Sequence, residues 1–228
     1  MEHIFAVRSE ARLKRYQEFA GRIQPRLDAY IAYLKREFGV SQLPRAILWT
    51  DRRTATELLS DIPVPAYTND YRVMFTPDME SWQDIYLRQL DGLPDSPEVG
   101  EIRDYYTNRL TEDNVLQILG HELAHHIDLF EEGEYERGIW FEEGMAEYIS
   151  RRYFLTGEEF RREAEINRLL VKLQKSRYGN HSLEDFGRET YAGDYASVFF
   201  EYWRSFLAVS KLVEACGGDI RRTFIMRE

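Results

Sequence analysis

His121, Glu122, Leu123, Ala124 and His125 set two imidazoles four residues apart, with a carboxylate beside the first. On a helix, positions i and i+4 share a face, so both rings can point at one ion. Glu122 lies about 100° round the axis from His121. Its carboxylate therefore sits beside the ion, where it can take a proton from an attacking water and return it to a leaving amine. Two imidazoles do not complete a catalytic zinc site, which uses three protein ligands and one open position. Trp140-Phe141-Glu142-Glu143-Gly144-Met145-Ala146-Glu147-Tyr148 offers the third. Glu143 and Glu147 again share a helix face, Glu143 as ligand and Glu147 as the partner of a ligating ring, that of His121. Glu142 is expected at the surface, because adjacent helix positions do not face one point. His126 is turned away from His125 and is expected in the core or at the surface, with Asp128 and Glu131 on a solvated face.

The elements that must position these groups follow from hydrophobic spacing. Thr111 is a fitting N-cap, Glu112 and Asp113 suit a first turn, and Val115, Leu116, Ile118, Leu119 and Leu123 supply apolar positions, which predicts a helix over 112–131. Helices are also expected over 9–37 (kinked or split at Pro25), 52–60, 79–90, 98–109, 139–154, 157–176 and 191–216. Apolar runs at 46–50 and 71–76 predict two strands of a small sheet, and 62–70 reads as loop. Gly144, after Glu143, lets the helix of 139–154 approach that of 112–131. The expected fold is α+β and predominantly helical. A single unit over 1–228 would comprise an N-terminal helical segment (1–40), a sheet with the histidine helix (41–132) and a helical C-terminal part (133–228). The aromatic set Trp140, Phe141, Phe154, Phe199, Phe200 and Trp203 is expected in the core, and Arg151-Arg152 and Arg161-Arg162 on a solvated face.

HELAH followed by WFEEGMAEY resembles the gluzincin metallopeptidases, the clan of thermolysin-like and aminopeptidase N-like enzymes. His125 and Glu143 are separated by 17 residues, close to that family's gap. The matching motifs span 121–148, and a weaker likeness extends to YAGDYASVFFEYW and to the strand–helix–strand pattern of 46–76. The resemblance implies a zincin-like fold and a zinc-dependent peptidase acting on a peptide or protein. Zinc would be held by His121, His125 and Glu143, with Glu122 as general base and Glu147 supporting a histidine. It also implies a tyrosine or histidine that stabilises the transition state; Tyr195, then Tyr191, are the candidates, ahead of His181, which precedes a Ser182 N-cap and reads as structural. The metzincin pattern HExxHxxGxxH/D would need glycine at Asp128 and a ligand at Glu131; without glycine the helix should run on and carry Glu131 away. No aminopeptidase-type GxMEN motif is present.

Composition narrows the alternatives. The 228 residues are 43% hydrophobic and 31% charged, enough to build a core. A net charge of −10 disfavours a nucleic-acid partner. Cys216 stands alone, which excludes an intramolecular disulfide and fits a reducing compartment. No run approaches a membrane span, and MEHIFAVRSEARLKRYQEF has no basic stretch followed by an apolar one, so the expected location is cytoplasmic. A zincin-fold binding or regulatory protein with little hydrolytic activity is the alternative function. Latency is another, with the first 40 residues or the tail Arg221–Glu228 lying over the cleft.

Overall fold

Strand β2 (Ala46–Thr50) is buried almost throughout, as expected of a strand with neighbours on both sides. The computed structural model describes residues 1–59, 64–130 and 138–226. Glu131, most of the segment joining the two motif helices, residues 60–63 (the end of the expected 52–60 helix and the start of the 62–70 loop) and the last two residues of the tail lie outside them. β1 (Glu2–Ala6) and β4 (Arg72–Phe75) run parallel to β2 on either side, and β3 (Ala66–Thr68) pairs antiparallel with β4, giving the order β1-β2-β4-β3. β1 and β3 were not expected. β1 is half exposed and carries no clean alternation, and β3 is three residues long inside a proline-rich stretch that reads as loop.

α1 (Glu10–Phe38) returns the chain from β1 to β2. Ser9 caps its start, accepting from Arg12 N–H, and Gly39 ends it in the left-handed conformation at φ 74°. The helix passes unbroken through Pro25. The missing N–H costs about 3 kcal/mol in a helix interior, but Tyr16, Phe19, Ala20 and Ile23 before it and Leu27, Tyr30 and Leu34 after it bury one continuous face. A single π-turn, Thr54–Leu58, follows β2.

The rest is helical: α2 (Met79–Arg88), α3 (Pro97–Asn108), α4 (Glu112–Ala124), α5 (Trp140–Phe154), α6 (Gly157–Tyr178), α7 (Arg188–Tyr191), α8 (Tyr195–Ala215) and α9 (Ile220–Ile225). Helix makes up 66% of the structure, so the class is α+β with a small mixed sheet. Every residue of α4 from Asn114 to Ala124 is buried, which makes it the central helix. α5 lies between α4 and α8. A Cβ at Gly120 would come 2.5 Å from the Phe154 ring, so that glycine admits α5 against α4. Gly144 faces elsewhere than expected. A Cβ there would lie 2.6 Å from the Ser205 carbonyl oxygen, so it sets the approach of α5 to α8. No described helix is long and apolar enough to cross a membrane.

Two helix ends differ from expectation. α4 stops at Ala124 instead of 131, tightened by His126 N–H donating to Leu123 and Ile127 N–H to Ala124. Asp128, exposed but not on a helix, accepts from Ser41 N–H at 3.1 Å and so fixes this turn to the end of α1. The expected 191–216 helix is divided into α7 and α8, because Asp194 caps α8 through Ser197 N–H.

Candidate metal centre

α4 brings His121 and His125 to one face, and the first turn of α5 presents Glu143 opposite them. Nε2 of the two rings are 3.0 Å apart, and Oε2 of Glu143 is 3.3 Å from His121 Nε2 and 3.5 Å from His125 Nε2. That Oε2 is buried and has no hydrogen-bond partner. Two imidazole nitrogens this close need something to bridge them, either an N–H that one ring donates to the other or a cation held by both. Burial opposes charge on His125, yet Glu143 and Glu142 outweigh it and hold its pKa well above the ordinary value. Burial likewise works to raise Glu143, but His125 and His121 hold it well below the usual carboxylate range. His121, His125 and Glu143 could thus hold a metal ion, and the two-nitrogen, one-oxygen set fits the donors that such ions take.

Each histidine has a glutamate of α5 at its outer nitrogen. Glu142 accepts from His125 Nδ1–H at 2.7 Å, so it is not the free surface residue that helix phase predicts. Residues 142 and 143 diverge, but the two nitrogens of one imidazole face opposite ways, and the glutamates meet opposite edges of the same ring. Glu147 is on the expected side: its Oε1 lies 3.6 Å from His121 Nδ1, just beyond hydrogen-bond reach, and its Oε2 pairs with Arg151 at 2.5 Å. Arg151 was expected on a solvated face and is instead buried, its guanidinium between Glu147 and Glu163. Glu163 in turn accepts from Tyr105 at 2.6 Å and Asn114 at 2.9 Å.

Glu122 is buried beside the triad, and that burial pushes its pKa up to about 7, against the pull of His121 and His125. All four groups open on a cavity of about 440 Å³. β3 forms one side, and Ile118, Trp82, Tyr86 and Phe199 form an apolar wall. No residue of the first 40 and none of 221–226 lines it.

The tyrosines fall differently from expectation. Tyr191 reaches the site and donates to Glu143 Oε1 at 2.8 Å. Tyr195 does not line the cavity; its ring packs edge-on against Phe199 at 5.1 Å. Tyr202 of α8 is a site residue that the sequence does not single out; its hydroxyl is 3.2 Å from the same Glu143 oxygen. The signal for it was weak, since the break before Asp194 changes the phase between Tyr191 and α8. His181 is remote from the cavity, its Nε2–H donating to the buried Glu201 at 2.9 Å, and Ser182 does cap the turn after it. His126 meets Thr68 Oγ1 at 2.7 Å and joins the end of α4 to β3. The helix stops short of Asp128, and Glu131, which it was expected to carry away, lies outside the described residues. Of the aromatic set, Phe199 borders the cavity and the others do not. Comparison of the chain with protein-family models, with curated proteins and with solved structures finds no match.

Proposed function

We propose that this chain is a zinc-dependent peptidase with a zincin-like catalytic unit. One observation carries the reading: the unpartnered, buried Oε2 of Glu143 faces Nε2 of two histidines set one helical turn apart, with Glu122 at their side. His121, His125 and Glu143 would hold the ion, a set of three protein ligands that leaves a position open. When bound, zinc supplies a Lewis acid that polarises a peptide carbonyl and acidifies water. Beside a cation Glu122 is held ionised. It takes the proton of the attacking water as the O–C bond forms, and passes it to the amide nitrogen as the C–N bond breaks. Among the described residues β3 is an edge strand, whose outer backbone groups would meet an extended peptide, and the wall of Trp82, Tyr86 and Phe199 would take an apolar side chain.

Metal analysis of the purified protein and digestion of a peptide library, with and without chelator, test this. One zinc per chain and chelator-sensitive cleavage are expected. Cleavage that survives complete metal removal would end the reading, and an intact library would favour a binding protein.

A further inference from the structure

The two oxygens of Glu143 have different surroundings. Oε1 accepts from the Tyr191 hydroxyl at 2.8 Å and lies 3.2 Å from that of Tyr202, the two hydroxyls being 2.9 Å apart. Oε2 is left to the two imidazoles. The terminal torsion of a glutamate is broad, so an unrestrained carboxylate can offer a cation either oxygen or both. Hydrogen bonds to one oxygen remove that freedom. The donors come from outside the helix pair that supplies the ligands. Tyr191 ends the four-residue α7, where its ring stacks on Phe186, and Tyr202 stands on α8 with its ring 5.9 Å from that of His121.

We propose that Tyr191 and Tyr202 are positioning residues: by engaging Oε1 they orient Glu143 so that Oε2 alone faces the cation, and through Tyr191 they tie cation binding to the docking of α7. The proposal rests on the reading of His121, His125 and Glu143 as a metal site. Coupling of this kind is reciprocal. A cation that fixes Oε2 steadies Oε1, and with it the Tyr191 hydroxyl and the chain on either side. Loss of the hydroxyl frees Glu143 to rotate and weakens the site. The phenol-to-phenyl change leaves the packed rings in place, so the fold is kept. The competing role for these hydroxyls is contact with the substrate oxygen in the transition state, which would act on turnover and leave cation affinity alone.

The test uses the full chain, stripped of metal, and its Tyr191→Phe and Tyr202→Phe variants. Zn2+ affinity is read by competition with a chromophoric chelator, the ligand field by the visible spectrum of added Co2+, and the state of α7 by amide hydrogen exchange over 187–192. Each variant should bind Zn2+ about 10–100-fold more weakly and give an altered Co2+ spectrum. Zn2+ should slow exchange over 187–192 in the parent protein and not in the Tyr191→Phe variant. Parental affinity and spectrum in both variants would overturn the proposal, and a fall in kcat with those two unchanged would assign the hydroxyls to the reacting atoms. A parent protein that binds no Zn2+ would overturn the metal reading itself, an outcome visible before any variant is made.

Discussion

The carboxylate of Glu142 lies 2.7 Å from Nδ1 of His125. That bond keeps a proton on Nδ1, so Nε2 is the nitrogen turned to Glu143 and His121 and the one that a cation would take in place of a proton. Consecutive glutamates therefore hold the two edges of one imidazole. Such outer partners are typically worth about 10–100-fold in metal affinity. Glu142→Ala is expected to weaken Zn2+ binding by that amount, and Glu142→Gln, which keeps an acceptor, by less. A chelator competition titration checks both, and parental affinity in Glu142→Ala would show that the packing of α4 alone orients His125.

Glu122→Gln should keep the cation and lose hydrolysis by about 10²–10⁴-fold, because an amide cannot accept the proton of the attacking water. Metal content and peptide turnover measured on one preparation decide the matter. Loss of metal in this variant would make Glu122 a ligand.

Tyr195→Phe should leave turnover unchanged. Burial raises the pKa of this hydroxyl, but its ring is committed to Phe199 and it does not reach the cavity. A fall in kcat of about 10²-fold would place it at the reacting atoms after all.

Asp51 supplies a pH test away from the site. It is buried, accepts from Thr54 N–H at 3.0 Å and pairs with Arg8 at 3.2 Å. Burial works to raise its pKa, but the bonds from Thr54 and Arg8 outweigh it and hold the carboxyl below its ordinary value. A carboxyl depressed in this way adds stability that is complete above its unfolded pKa and lost as the pH falls through the folded one. Asp51→Asn should thus lower stability by about 1–2 kcal/mol near neutrality. The gap should close as the pH drops below about 4. Urea melts across that range check it, and a gap that does not vary with pH would make the loss one of packing.

Much of this arrangement is legible in the sequence because the helical period is local. His121, His125, Glu122, Glu143 and Glu147 land where i, i+4 spacing puts them, and the strand at 46–50 is a plain apolar run. What escaped depends on pairing across the fold. β1 and β3 exist because β2 and β4 offer them edges. Arg151 looks like half of a surface pair until Glu147 and Glu163 close around it. Tyr202 reads as one more apolar position until α7 delivers Tyr191 to the same oxygen. The end of α4 was misplaced because Asp128 stabilises a turn through Ser41, 87 residues away, which no local pattern reveals.

Gly144 works as a spacer gauge between two groups of side chains that never touch it. α5 carries Glu142, Glu143 and Glu147; α8 carries Tyr202; and the distance between the two helices is set where a hydrogen stands in place of a methyl group. A methyl group at this position meets backbone at 2.6 Å, and backbone cannot swing aside as a side-chain tip can. Gly144→Ala must therefore prise α8 from α5. Overpacking of this sort costs about 1–3 kcal/mol, read as a lowered melting temperature. The same displacement carries the Tyr202 hydroxyl away from Glu143, so a residue with no polar side chain at all should alter cation affinity. In this protein the calibration of the centre is stored as a gap width, at the residue that follows Glu143 and on the side of α5 that meets α8.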